Sequence, residues 1–186
     1  VHNTLSVDML EQMTRAGRFL YLDWAQVSPP RWERAADGSW ERLTASHNGY
    51  RRLGVTHWRQ VTAFQDGRWL VDDTLSCRAH RRHTARLHWL LPDLPWQADI
   101  TSSRLHFQLS TPHGAVELVI QSESSLQPLL VRGGERLLGN GEVHPTWGWT
   151  SPTYGDKISA LALIVHFQGQ PPLHIISEWK LPDETS

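Results

Sequence analysis

Histidine and arginine carry the chemistry this chain could do. In the run 55–64, His57 and Arg59 stand two residues apart, so in an extended strand they share a face. His47, Tyr50, Arg51 and Arg52 come just before them. An arginine fork matches the geometry of a carboxylate or sulfate. A tyrosine can stack on a ring or donate a hydrogen bond. Tyr50, Arg51, His57 and Arg59 are therefore the candidates for binding an acidic sugar. A solvated polar strand face gives the same pattern, and spacing alone does not separate the two.

Other reactive groups are less promising. Asp72 and Asp73 are adjacent, and strand neighbours point to opposite faces, so they cannot work as a pair on one substrate. The expectation is that one of them sits at a strand end facing water. His80 and His83 flank Arg81 and Arg82, two cations that oppose a metal ion. His88, His106, His166 and His174 alternate with apolar residues and read as outward-facing sheet residues. Cys77 is the single cysteine, so an internal disulfide is excluded. It reads as a buried or incidental thiol. No Gly-x-Ser-x-Gly elbow, phosphate-cradling glycine loop or His-Glu-x-x-His helix is present.

Bulk properties narrow the class. The formal charge of −1 lacks the basic excess of a nonspecific nucleic-acid binder. Lys157 and Lys180 are the only lysines among 18 basic residues. That arginine bias suits carboxylate and sulfate, and it equally suits the codon usage of a GC-rich genome. Ten tryptophans can stack on sugars or fill a core. No apolar run approaches the roughly 20 residues of a membrane helix. No leader pattern is visible, but the chain opens at Val1 inside an apparent strand and reads as a fragment, which deprives that observation of weight.

The elements that must position these groups read as strands. Ala85, Leu87, Trp89 and Leu91 take one face of 83–91, and Thr84, Arg86 and His88 the other. Leu105, Phe107 and Leu109 alternate in the same way, and 160–167 and 173–179 are strongly apolar. Asp37-Gly38, Asp66-Gly67 and His113-Gly114 punctuate the runs. Asp66-Gly67 predicts a type I′ hairpin turn. Gly133-Gly134 and Gly139-Asn140-Gly141 predict an exposed loop over 132–146. One short helix is allowed over 8–17, with Asp8 as cap, Glu11 at the capping-box position and Gly17 at the end. The expected fold is all-β, an antiparallel β-sandwich forming one domain over 1–182, with a polar tail at 183–186.

Four stretches in order resemble the heparinase II/III-like polysaccharide lyases. Val1-His2-Asn3-Thr4-Leu5-Ser6-Val7-Asp8 resembles the family's His-Asn-Thr-Leu strand. His47-Asn48-Gly49-Tyr50-Arg51-Arg52-Leu53 with Val55-Thr56-His57-Trp58-Arg59 resembles its His-Asp-Gly-Tyr and His-x-Arg segment. Arg68 to Asp73 with His88 to Pro92, and Trp147 to Gly155, resemble the next hairpin and a late turn. The match departs at Asn48, where the pattern has aspartate, and at Trp58, where a basic residue is common. The resemblance implies the C-terminal β-sheet domain of a bacterial enzyme that degrades acidic, uronate-containing polysaccharide by β-elimination. It implies an upstream α/α toroid carrying much of the catalytic set, a periplasmic or secreted setting, and no activity from this domain alone. It also implies a divalent metal, zinc, in the intact parent, with His2 as one ligand.

Two other readings stand beside it. A free-standing carbohydrate-binding module would use Trp24, Trp147 and Trp149. A purely structural sandwich would only pack against a neighbouring domain. In the lyase and structural readings, an apolar face that meets the rest of the protein is expected to be exposed.

Overall fold

The computed structural model describes residues 2–17, 19–79 and 81–182. Val1, His80 and the tail 183–186 lie outside the described residues. Strands dominate, in the order β1 Leu5–Val7, β2 Thr14–Arg15, β3 Tyr21–Leu22, β4 Arg31–Arg34, β5 Trp40–His47, β6 Val55–Phe64, β7 Arg68–Cys77, β8 His83–Leu91 and β9 Trp96–Ile100. There follow β10 Arg104–Thr111, β11 Gly114–Gln121, β12 Gln127–Arg132, β13 Glu135–Leu138, β14 Trp149–Thr150, β15 Ile158–Ser159, β16 Leu161–Gly169 and β17 Leu173–Lys180. Among the described residues, one 3-10 turn covers Arg51–Leu53. Among the described residues no helix is long and apolar enough to cross a membrane.

Two antiparallel sheets form the sandwich. The smaller has five strands in the order β1-β8-β16-β12-β13, and the larger has eight in the order β4-β5-β6-β7-β17-β11-β10-β9. Period-two alternation sends Leu5, Leu87, Trp89, Leu163 and Phe167 inward from the smaller sheet. Val55, Leu75, Phe107, Ile120 and Ile175 meet them from the larger one. The smaller sheet is apolar on its outer face too. There Leu129, Val131, Ala162 and Ile164 are covered by Leu90, Val143 and Trp147. This cover explains why His88 is buried although it points away from the main core. His88 does face outward from the main core, as its alternation implies, but under this cover rather than in water.

The turns sort themselves by chemistry. Gly133 and Gly134 both have positive φ, 57° and 84°, and link the paired Arg132 and Glu135. The type I′ turn therefore lies here, within a hairpin rather than in an open loop. At Asp66-Gly67 only the glycine is left-handed, at 79°. Its N–H donates to Phe64 O at 3.2 Å, and the Asp66 carboxylate accepts from the Arg68 N–H. That loop has three residues, a type I turn closed by a left-handed glycine, because Asp66 satisfies its side chain locally without positive φ. Gly148 is also obligatory. At φ 72° an added Cβ would lie 2.7 Å from both Gly133 N and Val131 O.

The helix allowed over 8–17 does not form. Asp8 and Met9 take positive φ, 50° and 61°, which a helix start does not accept. The Asp8 carboxylate is spent across the sheet, accepting from Thr84 N at 2.9 Å and pairing with His83 Nδ1 at 2.8 Å. Glu11 faces Arg86 instead of closing a capping box. The segment 9–32 instead runs over the surface and exposes Met9, Phe19, Leu20, Tyr21, Leu22, Trp24, Val27 and Trp32.

Candidate functional site: a buried brace beside residues 3–5

Strand register assembles the site. Across β5 and β6, His47 is the partner of His57. Across β6 and β7, Arg59 is the partner of Asp73. All four side chains share the inner face of the larger sheet, the face that Val55, Val71 and Leu75 also occupy. Asp73 is 0% exposed and His57 2%. A charge there needs partners, since an unpaired buried carboxylate costs several kcal/mol or more.

Asp73 has three. Oδ1 accepts from His57 Nε2 at 2.6 Å and from Arg59 Nε at 2.7 Å, and Oδ2 accepts from Arg59 Nη2 at 2.7 Å. Burial alone would raise its carboxyl, but the His57 and Arg59 bonds outweigh that and hold it below the ordinary aspartate value. On the other side, His57 Nδ1 lies 2.9 Å from His47 Nε2, and His47 Nδ1 accepts from the Gly49 N–H at 3.2 Å. The Gly49 donor fixes the tautomers in turn. His47 then donates through Nε2, His57 accepts through Nδ1, and His57 Nε2–H is left to donate to Asp73. Burial, with the positive charge of nearby Arg59, depresses His47 to about 4, which keeps this direction intact at neutral pH.

The far end of this chain of bonds holds the first residues of the described structure. Arg59 Nη1 donates to Asn3 O. The Leu90 N–H donates to Asn3 Oδ1 at 2.8 Å and the His88 N–H to Thr4 O at 3.0 Å. Gln12 Nε2 donates to Thr4 Oγ1 at 3.2 Å. Tyr50, 1% exposed, donates its hydroxyl to Leu5 O at 2.7 Å. Burial pushes the Tyr50 hydroxyl well above its ordinary value, which favours the neutral donor. The Arg59 guanidinium also sits 5.5 Å over the Trp89 ring, whose Nε1 donates to Ser177 Oγ at 3.2 Å. His2, exposed, thus precedes three residues, Asn3 to Leu5, that are each held by hydrogen bonds on the way into β1.

Three of the sequence candidates, Tyr50, His57 and Arg59, converge on this brace. Arg51 does not. Its Nη1 donates to the backbone oxygens of Asp23 and Trp24 at 3.3 and 3.1 Å, and it borders a separate surface cleft. Asp73, the hub, was missed. The expectation that one of Asp72 and Asp73 ends a strand in water is corrected: both lie within β7, and Asp73 is fully buried. The signal was present. Asp73 continues the core-facing series Val71, Asp73, Leu75, and a carboxylate in that series demands a cation on the same face. Among the described residues no three His, Cys, Asp or Glu converge as a metal-binding group. His2 alone falls short of the four donors zinc prefers.

The fold is an antiparallel two-sheet sandwich with a polar brace inside it. The chain matches the family described as heparinase II/III-like, C-terminal, over residues 1–178, and belongs to it. Its structure is similar to that of the heparan sulfate lyase HepC from Pedobacter heparinus, with a TM-score of 0.63, 18% identity, and coverage of 100% of this chain and 25% of that one. A heparinase III gene product aligns with a TM-score of 0.59 at 15% identity over 97% of this chain and 24% of that one. A further heparinase III gives 0.60 at 10% identity over 99% and 24%. The chain thus spans about a quarter of the length of the structures it matches. No curated protein sequence matches it.

Proposed function

We propose that this chain is the β-sheet module of a bacterial polysaccharide lyase that cleaves acidic, uronate-containing polysaccharide by β-elimination, in concert with an upstream α/α toroid. The observation that carries this reading is the family match over residues 1–178. The setting we propose is periplasmic or secreted.

The reaction needs two things from a protein. The C5 proton of a uronate is weakly acidic, so the adjacent carboxylate must be neutralised for the carbanion charge to spread. A base then takes the proton and an acid protonates the leaving oxygen. Within this chain, Tyr50 and His57 have their polar atoms engaged and buried, so they serve from beneath. They and Asp73 fix the backbone of residues 3–5 and thereby set where His2 points. Arg59 is partly exposed, and Arg51 more so, and both remain our candidates for contact with acidic sugar. In a parent enzyme that holds zinc, His2 would supply one ligand of a set completed outside this chain. The exposed apolar side chains over 9–32 fit a module that packs against another domain.

The test is formation of unsaturated uronate from a panel of acidic polysaccharides, by the parent and by this chain alone. Activity in the parent and none in the chain is the expected result. Activity in the chain alone would refute dependence on the toroid. An inactive parent across the panel would refute the lyase reading and favour a binding or scaffolding module.

A further inference from the structure

The outer face of the larger sheet carries a second feature, at the end where Arg51 lies. A cleft of about 510 Å³ opens there, bordered by Arg51, Thr56, Ser76 and Arg78. Thr56 and Ser76 are register partners on β6 and β7 and point away from the core. The next pair on the same face is Trp58 with Thr74. Two residues of strand place Trp58 about 7 Å further along.

The chemistry of this strip is unspent. Arg78 is exposed and has no ion-pair partner among the described residues. Arg51 is anchored through Nη1, with the Asp23 carboxylate 3.8 Å from Nη2, which leaves the guanidinium partly neutralised but fixed in place. Thr56 Oγ1 has no partner among the described residues, and Ser76 Oγ reaches only Thr56 O at a long 3.5 Å. Trp58 is 42% exposed, and among the described residues no ring or cation stacks on it. Two arginines, two hydroxyls and an open indole within one strip are what an anionic sugar requires: forks for the acid group, hydroxyls for hydroxyls, and a flat platform for the ring.

We propose that this strip is a saccharide-binding site, in which Arg78 and Arg51 hold the sulfate or carboxylate of one sugar and Trp58 stacks on the next. The site takes its ligand class from the lyase reading. It lies on the outer face of the larger sheet, whereas Asn3, beside His2, meets Arg59 on the inner face. A long polymer could thus be held here while another stretch of it lies near His2.

The experiment is calorimetric titration of the chain at low salt with a heparan sulfate hexasaccharide, its fully desulfated counterpart and neutral maltohexaose. Binding of either acidic saccharide and not of maltohexaose is expected, and the sulfated and desulfated arms tell which acid group anchors. Arg78→Glu should weaken binding at least tenfold and Trp58→Ala at least fivefold. Arg78→Lys should stay within threefold, and Arg104→Glu, the same charge change on β10, should leave affinity unchanged. All three positions are solvent-exposed, so thermal unfolding should match wild type. No binding of either acidic saccharide, affinity within twofold for Arg78→Glu and Trp58→Ala, or an equal loss in Arg104→Glu would each overturn the proposal. An inactive parent with intact binding would leave this site standing, and an active parent with no binding here would remove this site alone.

Discussion

Replacing Asp73 by asparagine tests the brace most directly. The substitution keeps shape and removes the charge that three donors share at 2.6 to 2.7 Å. Asparagine presents one oxygen and one amide, so at least one donor must face an N–H. His57 has no route to water, with 3% of its side chain exposed, whereas Arg59 is 24% exposed and can rehydrate. Removing one partner of a buried ion pair costs about 3–5 kcal/mol. Water at Arg59 places the expected loss at the low end, about 3 kcal/mol. With a urea m-value of about 3 kcal/mol/M for a domain of this size, the unfolding midpoint falls by about 1 M. The triple variant Asp73→Leu, His57→Leu, Arg59→Met removes every buried charge of the network at once, and should be milder than Asp73→Asn, because the groups that lose a partner, His47 Nε2 and Asn3 O, belong to residues that are not fully buried. A midpoint for Asp73→Asn within about 0.3 M of wild type would show that the network contributes little, and the reasoning would fail.

The other predictions concern the same neighbourhood. Tyr50→Phe leaves Leu5 O buried without its donor and should cost about 1–3 kcal/mol. It should also speed hydrogen exchange at the His88 amide, which bonds Thr4 O, and unchanged exchange there would count against a role in holding β1. Acid should destabilise the chain in two stages. Burial, then the Arg86 charge, lowers His88 to about 4, and burial lowers His47 likewise. Each therefore takes up a proton more readily unfolded than folded, so their contribution is whole above pH 6.5 and is lost as pH falls from there towards 4. For His88 this corresponds to about 3 kcal/mol, and less for the half-buried His47. Asp8 and Asp73, held below the ordinary carboxylate value, act only at lower pH, where their protonation removes stability further. Urea midpoints at pH 7, 5.5 and 4.5 that do not decline would contradict the histidine stage.

Much of the fold was legible because period-two alternation is a property of single strands. Ala85, Leu87, Trp89 and Leu91 declare their common face without reference to any partner, and so do Leu105, Phe107 and Leu109. What failed depended on partners elsewhere in the chain. Asp8 looked like a helix cap because its partners, Thr84 and His83, stand more than 70 residues away. Asp66 suggested a left-handed turn residue, but local bonding kept φ negative. Tyr50, His57 and Arg59 were recognisable as a set. That they would face inward was not, because their half-polar alternation fits a wet face as well as a braced core. Only the register of β7 against β6 brings Asp73 to Arg59, and register is a relation between strands rather than a property of either.

The strand order carries a consequence for how this protein comes into being. β17 lies between β7 and β11, and β16 between β8 and β12. The final pair of strands, one in each layer, therefore stitches the middle of both. Until it arrives, the larger layer exists only as two ribbons, β4 to β7 and β9 to β11, and the smaller only as β1 with β8 and β12 with β13. Leu75 meets Leu173, and Leu87 meets Val165, across long loops of chain. Such distant pairings make assembly slow and leave unpaired edges waiting. On a ribosome, nearly the whole chain must emerge before either layer can close, so the growing chain depends on protection of its open edges until Lys180 is free to pair.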